Sequence, residues 1–152
     1  MIVLDANILI RAILGRRVRQ LIEDYAALGI RFFAPENAFD DAGEYLPDLV
    51  VRRGGTGADV AKSLAYLSHP VEPVISDTYG PFEEEARARL RGRDEEDWPV
   101  AAAALALGCP IWTEDADFFG SGIAVWTTSR VEIYLKERAR ERSAGEEQGG
   151  LE

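Results

Sequence analysis

Ile2-Val3-Leu4 is an apolar run of three that stops at a carboxylate, Asp5, and a helical pattern begins straight after it. A short apolar run without polar alternation is how a strand buried on both faces reads. Similar runs recur at Arg31-Phe32-Phe33-Ala34, at Val71 to Ile75 (with Pro73 marking an edge or a short pairing), at Pro110-Ile111-Trp112-Thr113 and at Ala124-Val125-Trp126-Thr127. Stretches of helical spacing fill the intervals: Ala6 to Leu14, Val18 to Tyr25, Pro35 to Val51 with Pro47 set to kink or restart it, Ala58 to Ser68, and Pro81 to Leu90. Ala38, Phe39, Ala42, Tyr45 and Leu46 are expected to face inward on the third of these. Alternating strands and helices specify an α/β fold, a mostly parallel open sheet in three layers with helices on both faces.

The clearest punctuation lies in Asp97-Trp98-Pro99 followed by four alanines and closed by Gly108, where cap, first-turn proline and terminal glycine stand in order. A final helix is expected from a Ser129 cap to about Arg140. Residues 1–140 read as one domain and residues 141–152 as a polar, frayed tail. No apolar run approaches the ~20 residues that cross a bilayer. The N-terminus lacks the basic region of a signal peptide, and the lone Cys109 makes no internal disulfide, so a cytoplasmic home is expected.

Open α/β sheets bind ligands beyond the carboxyl ends of their strands. Asp5 sits at such an end, Asp97 opens the alanine-rich helix, and Asp115 and Asp117 follow the Ile111-Trp112-Thr113 strand. Asp40, Asp41 and Glu44 lie early in the helix after Phe32-Phe33. Like charges brought together raise one another's pKa unless a cation intervenes, and carboxylates select Mg²⁺ or Mn²⁺. One ion or a pair would then support hydrolysis of a phosphodiester without a histidine, thiol or serine nucleophile. Each acid also has a bland reading: Asp5 and Asp97 as helix caps, Asp115 and Asp117 as Asx turns, Asp41 and Glu44 as a wet helix face.

Val3-Leu4-Asp5-Ala6-Asn7-Ile8-Leu9-Ile10 resembles the opening of the PIN domains, a hydrophobic strand, D-x-N and a helix. Asp97 to Ala106, then Thr113-Glu114-Asp115-Ala116-Asp117-Phe118, resembles the C-terminal signature of that family. The likeness runs from residue 1 to about 135, and many PIN domains are the toxin ribonucleases of toxin–antitoxin pairs. It implies a metal-dependent endoribonuclease with Asp5, Asp97 and Asp115 at the metal, Asp117 as an outer or second-metal ligand, and Asn7, Thr113 and Asp94 in support. The family's second acid is normally a glutamate; here Asp41 or Glu44 stands nearest, and the choice stays open. The resemblance further implies RNA as substrate, a homodimer and an antitoxin partner. A non-catalytic PIN-like module binding RNA or protein is the alternative, favoured by the shorter acid at Asp41.

The formal net charge of −10 is unusual for a polyanion-binding enzyme. Either cations cancel acids gathered in one pocket, or the acidity lies on outer faces and aids solubility or partner binding. Two arginine groups stand out: Arg16, Arg17 and Arg19, and Arg87, Arg89, Arg91 and Arg93. Both fit solvated helix faces; as RNA contacts, the first lies nearer Asp5 in sequence. Trp98, Trp112 and Trp126 read as core or interface aromatics, with base stacking the lesser alternative.

Overall fold

A computed structural model describes residues 1–150. Thirteen principal elements follow in order: β1 (Ile2–Leu4), α1 (Ala6–Leu14), α2 (Arg17–Ala27), β2 (Phe32–Pro35), α3 (Glu36–Arg52), α4 (Val60–Leu67), β3 (Val71–Val74), α5 (Ser76–Tyr79), α6 (Glu83–Arg89), α7 (Trp98–Leu107), β4 (Ile111–Trp112), β5 (Val125–Trp126) and α8 (Val131–Gly149). All five strands are parallel, in the order β3-β2-β1-β4-β5. From β1 the chain steps outward to β2 and β3, then returns to the other side of β1 for β4 and β5. The reversal between β1 and β4 opens a crevice at their carboxyl ends. Pro73 sits in β3, the edge strand, where a missing N–H is least costly.

Successive strand residues face opposite layers. Ile2, Leu4, Phe32, Ala34 and Trp112 join one core with α1, α2, α3, α4 and α8. Val3, Phe33 and Ile111 join a second core with α6 and α7. Trp112 is fully buried, with its ring 6.3 Å from that of Phe32 and its Nε1 donating to Thr128 Oγ1 at 3.1 Å. Ala101 to Ala104 are buried and bring α7 close against the sheet; Gly108, at φ 65°, closes the helix with its N–H on the carbonyl of Ala104.

Several local expectations need correction. The third helix runs through Pro47 without a break, forgoing one backbone hydrogen bond. Tyr45 points outward at 61% exposure, because Ala42 and Leu46 already fill the buried stripe on either side of it. Ser129 does not cap the last helix; Arg130 holds that position without a side-chain bond, and the Ser129 hydroxyl meets Thr127 instead. The segment expected to fray from Glu141 onward continues α8 to Gly149. Arg138–Glu141 and Arg142–Glu146 pairs on adjacent turns support it at 3.1 and 3.4 Å. Leu151 and Glu152, the end of that expected tail, lie outside the described residues.

Candidate metal centre

β1 delivers Asp5 to the crevice, and its carboxylate is held at both oxygens. Oδ1 accepts from the N–H of Ile8 at 3.1 Å, capping α1, and Oδ2 accepts from the Thr113 hydroxyl just after β4. The capping reading of Asp5 is therefore correct as far as it goes, but a cap uses one oxygen. Burial pushes the Asp5 carboxyl up to about 6, although the bonds from Thr113 and Ile8 oppose the rise. Thr113 is itself fully buried, and its Oγ1 also accepts the backbone N–H of Asp115 at 2.9 Å. One hydroxyl thus ties the ends of β1 and β4 to the acidic loop that follows.

Asp97 behaves differently. It occupies the N-cap of α7, yet its side chain accepts no bond from that helix. Its carboxylate faces Asp115 and Asp117 instead, and one oxygen from each of the three lies within 4.8 Å of the other two. Burial, then the charges of Asp94 and Asp115 with a direct Asp97–Asp115 contact, push the Asp97 carboxyl up to about 7. Asp115 does form the expected Asx turn, with Oδ1 accepting the N–H of Asp117 at 2.9 Å, which leaves Oδ2 for the cluster. Asp5 lies outside this triad but lines a cleft of about 240 Å³ with two of its members, Asp97 and Asp115; Asp117 is not part of that lining.

Of the two acids left open as the second ligand, Asp41 lines the cleft and Glu44 does not. Partial burial and the neighbouring charges of Glu44 and Asp40 raise the Asp41 carboxyl. Asn7 also lines the cleft, whereas Asp94 is engaged in capping a short 3₁₀ turn through the N–H of Glu96 at 3.1 Å. Three polar lining residues escaped the sequence reading, among them the acid Glu96 beside Asp97. Tyr45 stands at the mouth of the cleft, one turn beyond Asp41. Asn37 has its Oδ1 buried without a hydrogen-bond partner, which no other side-chain oxygen or nitrogen shares among the described residues. Only the signal of an amide one residue into a helix that follows a buried strand could have found Asn37.

The arginine groups separate. Arg87 pairs with Glu83 at 3.0 Å and covers the Trp98 ring at 5.4 Å, while Arg89 pairs with Glu85 and donates to the carbonyl of Ser121. Arg93 reaches the carbonyl of Asp117 at 3.3 Å. Only Arg93 of these three bonds the acidic loop itself; Arg89 holds the chain just beyond it. Arg16 and Arg17 line an open groove, but Arg19 turns to another cleft beside Glu23, Asp59 and Lys62. That other cleft is larger, about 600 Å³, and holds none of the acids of the crevice.

A cluster of carboxylates with no cationic side chain lining its cleft, plus an orphaned amide oxygen, supplies hard oxygen donors only. That donor set fits Mg²⁺ or Mn²⁺ and would not suit a soft ion. Thr113→Val keeps the shape but removes the donor to Asp5 and the acceptor for Asp115. Mn²⁺ affinity measured by calorimetric titration is expected to fall about 10–100-fold, as for other residues that orient ligands. An unchanged affinity would show that the hydroxyl does not organise the site.

Against known proteins, a sequence model described as the PIN domain matches residues 3–136. No curated protein matches the chain.

Proposed function

This chain belongs to the PIN domain family, and from that premise we propose that it is a Mg²⁺- or Mn²⁺-dependent endoribonuclease, the toxin of a toxin–antitoxin pair. The PIN domain points to nuclease chemistry, and the observation that carries the reading here is the convergence of Asp97, Asp115 and Asp117. One carboxylate oxygen from each lies within 4.8 Å of the other two, at the crevice where the strand order reverses.

Asp97, Asp115 and Asp117 would hold the ion, with Asp5 and Asp41 beside them and Asn7 and Asn37 available to its hydration shell. When bound, the ion would neutralise the carboxylates, shield the phosphate and lower the pKa of a water for attack on phosphorus. Thr113 fixes Asp5 and the Asp115 loop in place. Tyr45 offers an exposed ring face at the mouth, suited to stacking a base. RNA as substrate, an antitoxin protein that occludes the crevice, a homodimer and action in the cytoplasm complete the proposal. No helix of the described residues is long and apolar enough to cross a membrane.

The test is cleavage of a generic RNA by the full chain with Mn²⁺, with Mg²⁺, and after chelation. Cleavage is expected with either ion and none in EDTA, restored by adding metal back. Inert protein across both ions would overturn the enzyme and favour a PIN-like module that binds without cutting. Cleavage that survives chelation would overturn the metal centre.

A further inference from the structure

The triad draws its acids from two separate pieces of chain. Asp97 comes from the connection between α6 and α7, and Asp115 and Asp117 come from the loop after β4. The sheet holds that loop at its root, where Thr113 bonds to Asp5 and to the N–H of Asp115. Beyond Asp115 the chain stays out of the sheet until Val125. Strand pairing therefore does not set how far Asp117 stands from Asp97.

Arg93 bridges the two pieces. Its Nη1 donates to the Asp117 carbonyl at 3.3 Å, while the Asp117 N–H donates to Asp115 Oδ1 at 2.9 Å. The peptide groups on both sides of Asp117 are thus held. On the other side, Arg93 belongs to the short segment that leads into Asp97, and that segment is braced. The Arg93 N–H bonds the Leu90 carbonyl at 2.9 Å, and the Asp94 carboxylate caps the turn that ends at Asp97. Arg87 and Arg89 both pair with carboxylates. Arg93 pairs with none among the described residues, although Asp94, Glu95 and Glu96 follow it directly. Against it stands Gly120, at φ 83°, where a Cβ would lie 2.7 Å from Arg93 Nη2. A side chain there would crowd the guanidinium and strain the backbone.

We infer that Arg93 is a positioning residue of the metal centre: through the Asp117 carbonyl it sets the spacing between Asp97 and the Asp115–Asp117 loop. It acts through the main chain and needs no contact with ion or RNA. The inference rests on the metal-dependent reading above and adds a second clasp to a loop whose first clasp is Thr113. The sign of the effect separates this role from that of a surface charge. A guanidinium one hydrogen bond from Asp117 repels a divalent cation at the triad, so losing its charge alone would tighten metal binding. Losing the tie lets Asp117 drift from Asp97 and weakens it.

The test is calorimetric titration of the full chain with Mn²⁺, after stripping with EDTA and removal of the chelator. Arg93→Met keeps the length of the side chain and removes the donor. Its affinity is expected to fall about tenfold, the low end for residues that orient ligands. Arg89→Met is the control, because Arg89 makes the same kind of bond to the Ser121 carbonyl, past the acids. Its affinity should stay within about twofold of wild type. Hydrogen exchange in EDTA reads the tie without metal: the amides of Phe118 and Phe119 should exchange about tenfold faster in Arg93→Met. Circular dichroism checks that both variants are folded. Unchanged or tighter Mn²⁺ binding in Arg93→Met would overturn the role, as would equal losses in the two variants or wild-type exchange at Phe118 and Phe119. RNA cleavage, read separately, keeps this role apart from the nuclease. A protein that takes up Mn²⁺ in an Arg93-dependent way and cuts nothing sinks the nuclease alone. A cutting enzyme whose Mn²⁺ affinity ignores Arg93 sinks the positioning role alone, and a wild type that binds no Mn²⁺ sinks both.

Discussion

Asp97→Asn is expected to abolish metal-dependent RNA cleavage, by about 10³-fold or more, while making the metal-free protein more stable. The loss follows because an amide removes one charge and one oxygen donor from the triad with Asp115 and Asp117. The gain follows because the wild-type carboxylate is held against like charge in a partly dry cleft, where its pKa stands at about 7. A group whose folded pKa exceeds its unfolded value of ~3.9 stabilises the fold below that value and ceases to do so as pH rises through the folded one. Wild type therefore carries nearly the full penalty of this charge by pH 8, about a third of it at pH 5 and little of it only near pH 4. The melting temperature of Asp97→Asn, measured without metal, is expected to exceed that of wild type by roughly 3–8 °C at pH 8, after allowing for screening. The gap should narrow toward pH 5. A variant that is both inactive and destabilised at pH 8 would mean that Asp97 supports the fold, and the separation of roles would be lost. Asp5→Asn should also lose cleavage, but without a comparable gain, because both oxygens of Asp5 already receive hydrogen bonds.

Trp112→Ala carries the largest expected cost in stability, about 3–5 kcal/mol against a total of ~5–15 kcal/mol for a domain of this kind. Trp112 is the largest fully buried side chain, its indole abuts Phe32, and its N–H is bonded to Thr128. Truncation would leave a cavity between β4 and the helices of the first core and strand the Thr128 hydroxyl. Urea unfolding should show the midpoint falling sharply at constant slope, with Trp112→Phe losing well under half as much. Because Thr113 is the next residue, Mn²⁺ affinity should fall as well. A near-neutral midpoint for Trp112→Ala would mean that β4 is not anchored through this ring.

Much of the scaffold could be read directly. Short apolar runs ending in polar residues marked the strands, since a buried parallel strand has no polar face to alternate with. The Asp97–Gly108 segment announced its own start and stop. The acids at strand ends were visible because parallel sheets present those ends to a common edge. Three things were not legible, each for a physical reason. Tyr45 has the spacing of a core residue, but whether a residue one position off the buried stripe turns in or out depends on what fills the core beside it. The continuation of α8 rests on Arg–Glu pairs rather than on an apolar stripe, and a polar run with glycines looks the same whether helical or frayed. The approach of Arg53 to Arg11, Arg16 and Arg17 depends on α3 packing along α1, which no local pattern encodes. Arg16, Arg17 and Arg19 look alike in sequence, and only the rotation of α2 sends Arg19 elsewhere.

Strand β1 lies in the middle of the sheet although it is the first of the five to be made, and its neighbour β4 comes roughly a hundred residues later. A ribosome that has released everything up to Leu107 has exposed Asp5, Asp41 and Asp97 but neither Thr113 nor the loop beyond it. The nascent polypeptide then has one side of the sheet, β3-β2-β1, and no place to gather its acids. Assembly of the crevice thus waits until β4 and its loop have emerged, so a chain that cuts RNA could not turn on the message that encodes it until that late stretch has been translated.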